Sequence, residues 1–305
     1  MAETAVGLLH PGEMGSAVGA AARAGGTRVV WASAGRSAKT REQADGAGLE
    51  DAGTLASLVA TSEVVVSVVP PHAAVDVARA VALLGFAGLY IDANAVSPAT
   101  ARAIAEIVEA GGASFVDGGI VGNPPRPDDR SHLYLAGAAA QRVAAIFEGS
   151  ALEPIVLDGP PGAASALKMA YAAWTKGTSA LVLAIRALAA REGVDGALLR
   201  EWEASQPDLP ARLDRAVLST RKAWRWVAEM EEIASTFADA GLPDGFHLAA
   251  AEIFLELSGY RAATPSVEEV ARSLSQGRRT SLTLRSAGAA KSRPRTGGEG
   301  RTAAR

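Results

Sequence analysis

The 305-residue sequence contains no cysteine, which excludes disulfide frameworks, thiolate metal centres and cysteine nucleophiles. Histidine is nearly as scarce. The four residues at 10, 72, 132 and 247 show no His-x-x-x-His spacing, so no metal site is expected. No apolar stretch approaches the ~20 residues that a membrane span needs. Charge of one sign is also lacking: a net charge of −3 supplies no broad field to draw nucleic acid or an anionic membrane surface. Neither a G-x-S-x-G elbow nor a G-x-x-x-x-G-K-[ST] loop is present, which counts against a hydrolase and a P-loop NTPase. The opening MAETAVGLLHPGEMG carries an early acid and a short apolar run ending in a glycine turn. It reads as a strand rather than a signal peptide, and a cytoplasmic location is expected. What remains, 49% hydrophobic and 21% charged residues, is the composition of a globular chain.

Up to about residue 157 the chain alternates short β-rich runs with alanine-rich helical stretches, the rhythm of a parallel α/β sheet. The runs Ala5–Leu9, Arg28–Ala32, Val64–Val69, Gly88–Ile91 and Ser114–Val116 are continuous and bounded by Gly, Pro, Asn or Asp, as strands covered on both faces are. His132–Gly137 and Pro154–Leu157 extend the set. At Gly159-Pro160-Pro161-Gly162 the pattern breaks, and helices are expected at 162–193, 195–204, 210–239, 244–258 and 266–275. The first is too apolar to stand in water and calls for cover, including helices of a second subunit. The expected organisation is a Rossmann domain with a doubly wound parallel sheet at 1–160, an all-α domain at 161–285, and a disordered tail at 286–305. That tail carries five basic side chains against Glu299.

The first strand runs into His10-Pro11-Gly12-Glu13-Met14-Gly15, after which a helix begins. A glycine-rich turn at this place lets backbone N–H groups meet a pyrophosphate at the positive end of the helix dipole. Of the G-x-G-x-x-G fingerprint, Gly12 and Gly15 are kept and the first glycine is His10. The second strand ends in Ala32-Ser33-Ala34-Gly35-Arg36-Ser37-Ala38-Lys39, without the acid that usually binds the ribose 2′-OH of NAD. Arg36 and Lys39, with hydroxyls from Ser33 and Ser37, suit a 2′-phosphate, so NADP(H) is favoured over NAD(H). Lys168 lies among small apolar residues on a helix stripe with Ala172, Thr175 and Ser179, with Tyr171 at its edge. A cation so placed seeks an anion or a wet cleft. Trp224, Trp226, Met230, Phe237, Phe246 and Phe254 read as helix-packing core, and His247 as a packed or surface residue.

GLLHPGEMG, VVVSVVPP, IDANAVSP, FVDGGIVG and GAASALKMAYAAWTKG together resemble the β-hydroxyacid dehydrogenases, relatives of 6-phosphogluconate dehydrogenase that include the imine reductases. The resemblance covers residues 5 to about 260. It implies a nicotinamide-dependent oxidoreductase working on a small-molecule substrate as a homodimer, with the active site between domains. It further implies that Val69, Pro70 and Pro71 lie beside the cofactor and Asn94 near the nicotinamide ribose. Gly119, Ile120, Val121 and Gly122 would line the substrate pocket, and Lys168 would act as acid/base with Tyr171 and Thr175 nearby. Two departures pull apart. Val121 replaces the family's serine, and with Gly118-Gly119-Ile120 this leans toward an imine reductase; retention of Lys168 leans toward carbonyl and alcohol chemistry. A nucleotide-binding module without turnover is the alternative from another class.

Overall fold

The computed structural model describes residues 5–261, 263 and 265–275. The basic tail expected at 286–305 lies outside the described residues. Eight strands form one sheet: β1 (Ala5–Leu8), β2 (Arg28–Trp31), β3 (Glu50–Asp51), β4 (Val64–Ser67), β5 (Leu89–Asp92), β6 (Ser114–Val121), β7 (Ser131–Ala136) and β8 (Leu152–Val156), in the order β3-β2-β1-β4-β5-β6-β7-β8. All neighbours run parallel except β6 and β7. Helices α1 (Glu13–Ala24), α2 (Ala38–Gly46), α3 (Leu55–Thr61), α4 (Ala74–Leu83), α5 (Pro98–Ala110) and α6 (Ala140–Phe147) connect the strands. The expected α/β class with a parallel sheet followed by helices is borne out, the antiparallel pair β6–β7 being the one departure from parallel pairing.

Alternate strand residues feed two apolar layers. Leu8, Val64, Val66, Leu89 and Ile91 pack on one face with Val18 and Phe147. Val30, Val65 and Tyr90 pack on the other with Leu58, Ile104 and Phe115. Burial on both faces is why these strands read as unbroken hydrophobic runs rather than as alternation.

Three elements depart from the sequence reading. β3 has only two residues, both charged, so no apolar run announced it. β6 continues five residues past Val116 through Asp117-Gly118-Gly119, a stretch that reads as a breaker. The antiparallel partner β7 holds it as strand, from Asp117 opposite Ala136 to Val121 opposite His132. The long helix expected at 210–239 is two, α9 (Leu209–Ser219) and α10 (Ala223–Asp239), joined by a 3-10 turn at Thr220–Lys222. There the Ser219 and Thr220 hydroxyls donate to the carbonyls of Ala216 and Val217, competing with the helical ladder.

The remaining helices are α7 (Ala163–Arg191), α8 (Asp195–Ser205) and α11 (Gly245–Glu256), with residues 267–275 also helical. The chain forms two compact units. One takes in the residues up to Thr178 together with Arg225–Phe254; the other comprises Ser179–Trp224 and the described residues from Leu255 onward. In the second, Arg186 is buried and pairs with Asp195 at 2.9 Å, and Arg261 lies over the Trp224 ring at 4.4 Å.

Candidate functional site

In the order β3-β2-β1-β4-β5 the winding direction reverses between β1 and β4, and ligands of open α/β sheets bind outside the carboxyl ends of the strands at such a point. The turn His10–Gly12 leaves β1 there, and Val68-Val69-Pro70 leaves β4. Gly12 is the N-cap of α1 and offers no side chain to the helix, so the first N–H groups of α1 have no side-chain cap. A Cβ on Gly15 would drive into the carbonyl oxygen of His10. The cradle thus fits a pyrophosphate and tolerates only glycine at 15. Glu13, in the first turn, pairs with Arg225 of α10 at 3.2 Å. Pro11 is buried, and Met14 packs against the core layer beneath α1.

Arg36 folds back onto this turn. Its Nη2 donates to the Leu9 carbonyl at 3.1 Å, and its Nη1 lies 3.3 Å from His10 Nδ1. Burial, and secondly the Arg36 charge, lower the His10 pKa, so the imidazole is neutral at pH 7 and Nδ1 accepts. The Ser37 hydroxyl accepts from Thr40 N as the N-cap of α2, and Lys39 is exposed in the first turn. Ser33 is buried, and its carbonyl accepts from Arg36 N and Arg41 Nη2. Its hydroxyl bonds Asp51, whose carboxyl is held below its ordinary pKa by that bond. An acid therefore does stand beside this loop, contrary to the sequence reading. It comes from β3, which the sequence did not signal.

Just past β5, Asn94 is buried and braces the turn that leaves β4 from within. Its Oδ1 accepts from Val69 N at 2.6 Å, while Nδ2 donates to Ser67 Oγ at 3.0 Å and to Asp92 Oδ2 at 2.8 Å. Both amide hydrogens are thus engaged inside the protein. Asp92 has no exposure, and burial pushes its carboxyl up to about 7. Pro70 is exposed, and Pro71 opens a 3-10 turn.

The third part of the site is built on β6 and the start of α7. Asp117 Oδ2 accepts the N–H groups of Gly162, Ala164 and Ser165, and Oδ1 accepts the Ser165 hydroxyl at 2.6 Å. One buried carboxylate thus satisfies the free N–H groups that open α7. A Cβ on Gly119 would sit 2.6 Å from the Ala164 carbonyl oxygen and 3.2 Å from Lys168 Cβ, so glycine lets the helix lie on the strand. Partly buried Lys168 then reaches back to donate from Nζ to the Ile120 carbonyl. Burial lowers its pKa to about 8. Ile120 and Val121 are buried, and Gly122 leaves the strand at φ +130°. Of the partners offered by sequence, Tyr171 is exposed, and the Thr175 hydroxyl donates to the Tyr171 carbonyl.

Sequence reasoning missed Asp117 as the clamp, Asp92 as the partner of Asn94, and Glu232 of α10, which accepts from Ser97 N and Thr100 Oγ1 at the start of α5. The two aspartates stood inside motifs already quoted; buried carboxylates at strand ends were the usable signal. His247 is packed between Phe237 and Phe246, at 4.2 and 5.3 Å between ring centres. Among the described residues no group of three or more His, Asp or Glu gathers to hold a metal, and no helix is long and apolar enough to cross a membrane.

Residues 5–151 match the family described as the NAD binding domain of 6-phosphogluconate dehydrogenase, and residues 189–257 match a domain family of unknown function, DUF1932. An uncharacterized 28.5 kDa protein of Methanothermus fervidus is 29% identical over 203 residues, 65% of this chain and 78% of that one. Among solved structures, the conserved protein MTH1747 of unknown function, described as similar to 3-hydroxyacid dehydrogenases, is 27% identical with a TM-score of 0.62, over 86% of this chain and 100% of its own. The 3-hydroxyisobutyrate dehydrogenase of Mycobacterium tuberculosis superposes with a TM-score of 0.68 at 17% identity, over 89% and 99% of the two chains. An imine reductase of Myxococcus stipitatus, bound to NAD+, gives 0.53 at 21% identity over 89% and 99%. The glycine turn at the switch point lies within residues 5–151, the stretch that matches the NAD binding domain family of 6-phosphogluconate dehydrogenase, and the match to DUF1932 follows it in the chain.

Proposed function

We propose that the protein is an NADP-dependent oxidoreductase that interconverts a small carbonyl compound and its alcohol, with Lys168 as acid/base. The observation that carries this reading is Lys168 itself, a partly buried ammonium fixed to the Ile120 carbonyl with its pKa brought to about 8. A group poised near the working pH can give a proton to a carbonyl oxygen and take one from a hydroxyl. The bound nicotinamide would supply or accept the hydride. The turn 10–15 would hold its pyrophosphate, Arg36 with Ser37 and Lys39 the adenosine end, and Val69, Pro70 and Pro71 would border the ring. Gly119, Ile120, Val121 and Gly122 would wall the substrate pocket, with Tyr171 and Thr175 on the adjoining face of α7. The dehydrogenase and imine reductase folds met above support the class without choosing between its chemistries. Val121, buried where the family pattern has a hydroxyl, favours imine reduction as the second reading.

Assays with NADPH and NADH against small keto acids, aldehydes and cyclic imines test this directly. Lys168→Met is expected to lower carbonyl reduction by about 10²–10⁴-fold while leaving NADPH binding intact. Because the acid form is the ammonium, wild-type kcat/KM for reduction falls as pH rises through about 8, and alcohol oxidation rises over the same range. Full activity in Lys168→Met overturns the mechanism, and turnover of imines alone selects the second reading.

A further inference from the structure

We propose that His10 determines specificity at the adenosine end of the cofactor: from the place of the first fingerprint glycine, its imidazole holds the Arg36 guanidinium ready for a 2′-phosphate. The proposal rests on the NADP reading and goes beyond it, because it assigns discrimination to a residue of the glycine turn. Two edges of the imidazole are engaged. Nδ1 meets Arg36 Nη1 at 3.3 Å, and Nε2 overlies Gly12, where a Cβ would come within 3.1 Å of it. The ring therefore fills the gap between the pyrophosphate cradle and the arginine. Arg36 is fixed at a second point by the Leu9 carbonyl, 3.1 Å from Nη2. A guanidinium presents five N–H donors in a planar fork, so two fixed bonds orient the plane and leave the others for a phosphate. Glycine at position 10 would leave Arg36 with the Leu9 carbonyl alone and a long, freely rotating stem; holding it beforehand removes that ordering cost from binding. Asp51, the acid beside the loop, is engaged with Ser33 and with Gly53 N, at 2.7 Å from the latter. It is thereby drawn away from the role that an acid plays toward a ribose hydroxyl in NAD enzymes.

Two fragments that differ at the ribose by one phosphate, adenosine 2′,5′-bisphosphate and 5′-AMP, isolate the effect when titrated calorimetrically into the full-length protein. Wild type is expected to prefer the bisphosphate. His10→Gly should cut that preference, the ratio of the two affinities, about tenfold, the size of one well-placed charge-assisted bond. His10→Gln, whose amide oxygen can accept from Arg36, should retain most of it. In an Arg36→Ala background, His10→Gly should have no further effect. Circular dichroism confirms that each variant is folded. A preference that survives His10→Gly undiminished overturns the proposal and leaves the NADP reading standing; a wild-type protein that binds both fragments equally overturns both.

Discussion

Asp92 carries a carboxyl with no exposure, beside Asp117 on the neighbouring strand and within reach of the Glu232 charge. Burial raises its pKa from an ordinary 3.8 to about 7, and both neighbours push the same way. Between those values the folded chain holds a proton that the unfolded chain has released, so this residue makes stability fall as pH rises through that window. Asp92→Asn, which keeps an oxygen to accept from Asn94 N but sets its NH2 group against the Asn94 Nδ2 donor, should abolish that slope and lower stability at every pH. Melting temperatures of the two proteins from pH 4 to 8 check this; parallel curves would contradict it. At this scale the sequence was partly legible. An ammonium among small apolar residues announced Lys168, but its partner, the Ile120 carbonyl, is a backbone atom that no side-chain pattern can point to.

The start of α7 is held on β6 at three places: the Asp117 carboxylate, the absent side chain of Gly119 and the Lys168–Ile120 bond. Gly119→Ala would put a methyl against the Ala164 carbonyl and Lys168 Cβ, and both are backbone or near it, with little room to yield. The expected cost is about 1–3 kcal/mol of stability by overpacking, read in urea unfolding. A change below a few tenths would show that helix and strand part freely. The helical and long apolar elements were legible because burial on two faces writes itself as continuous hydrophobic runs. β3 and the second half of β6 were not. Glu50–Asp51 is strand only because Val30 and Trp31 offer an edge to pair with, and Asp117-Gly118-Gly119 only because β7 pairs along one side and α7 satisfies the carboxylate.

In the second unit, Leu181 and Leu188 of α7 stand seven positions apart on one face and are 42% and 61% exposed. A helix that leaves such a stripe in water is unusual unless something covers it, and a second copy of the chain is the cover we propose. Sedimentation should give twice the chain mass, and Leu181→Glu with Leu188→Glu should halve it without unfolding the protein. A monomeric wild type would refute the homodimer.

The order of strands and helices, the glycine turn, and the apolar setting of Lys168 were set by local physics: period, burial and breaker residues act within a few positions of themselves. Which carbonyl Lys168 finds, which acid stands beside Ser33, and how His10 meets Arg36 depend on groups 48, 18 and 26 residues apart brought together by the sheet. Chain closure over such distances leaves no trace in local pattern, so only the tertiary structure decided them.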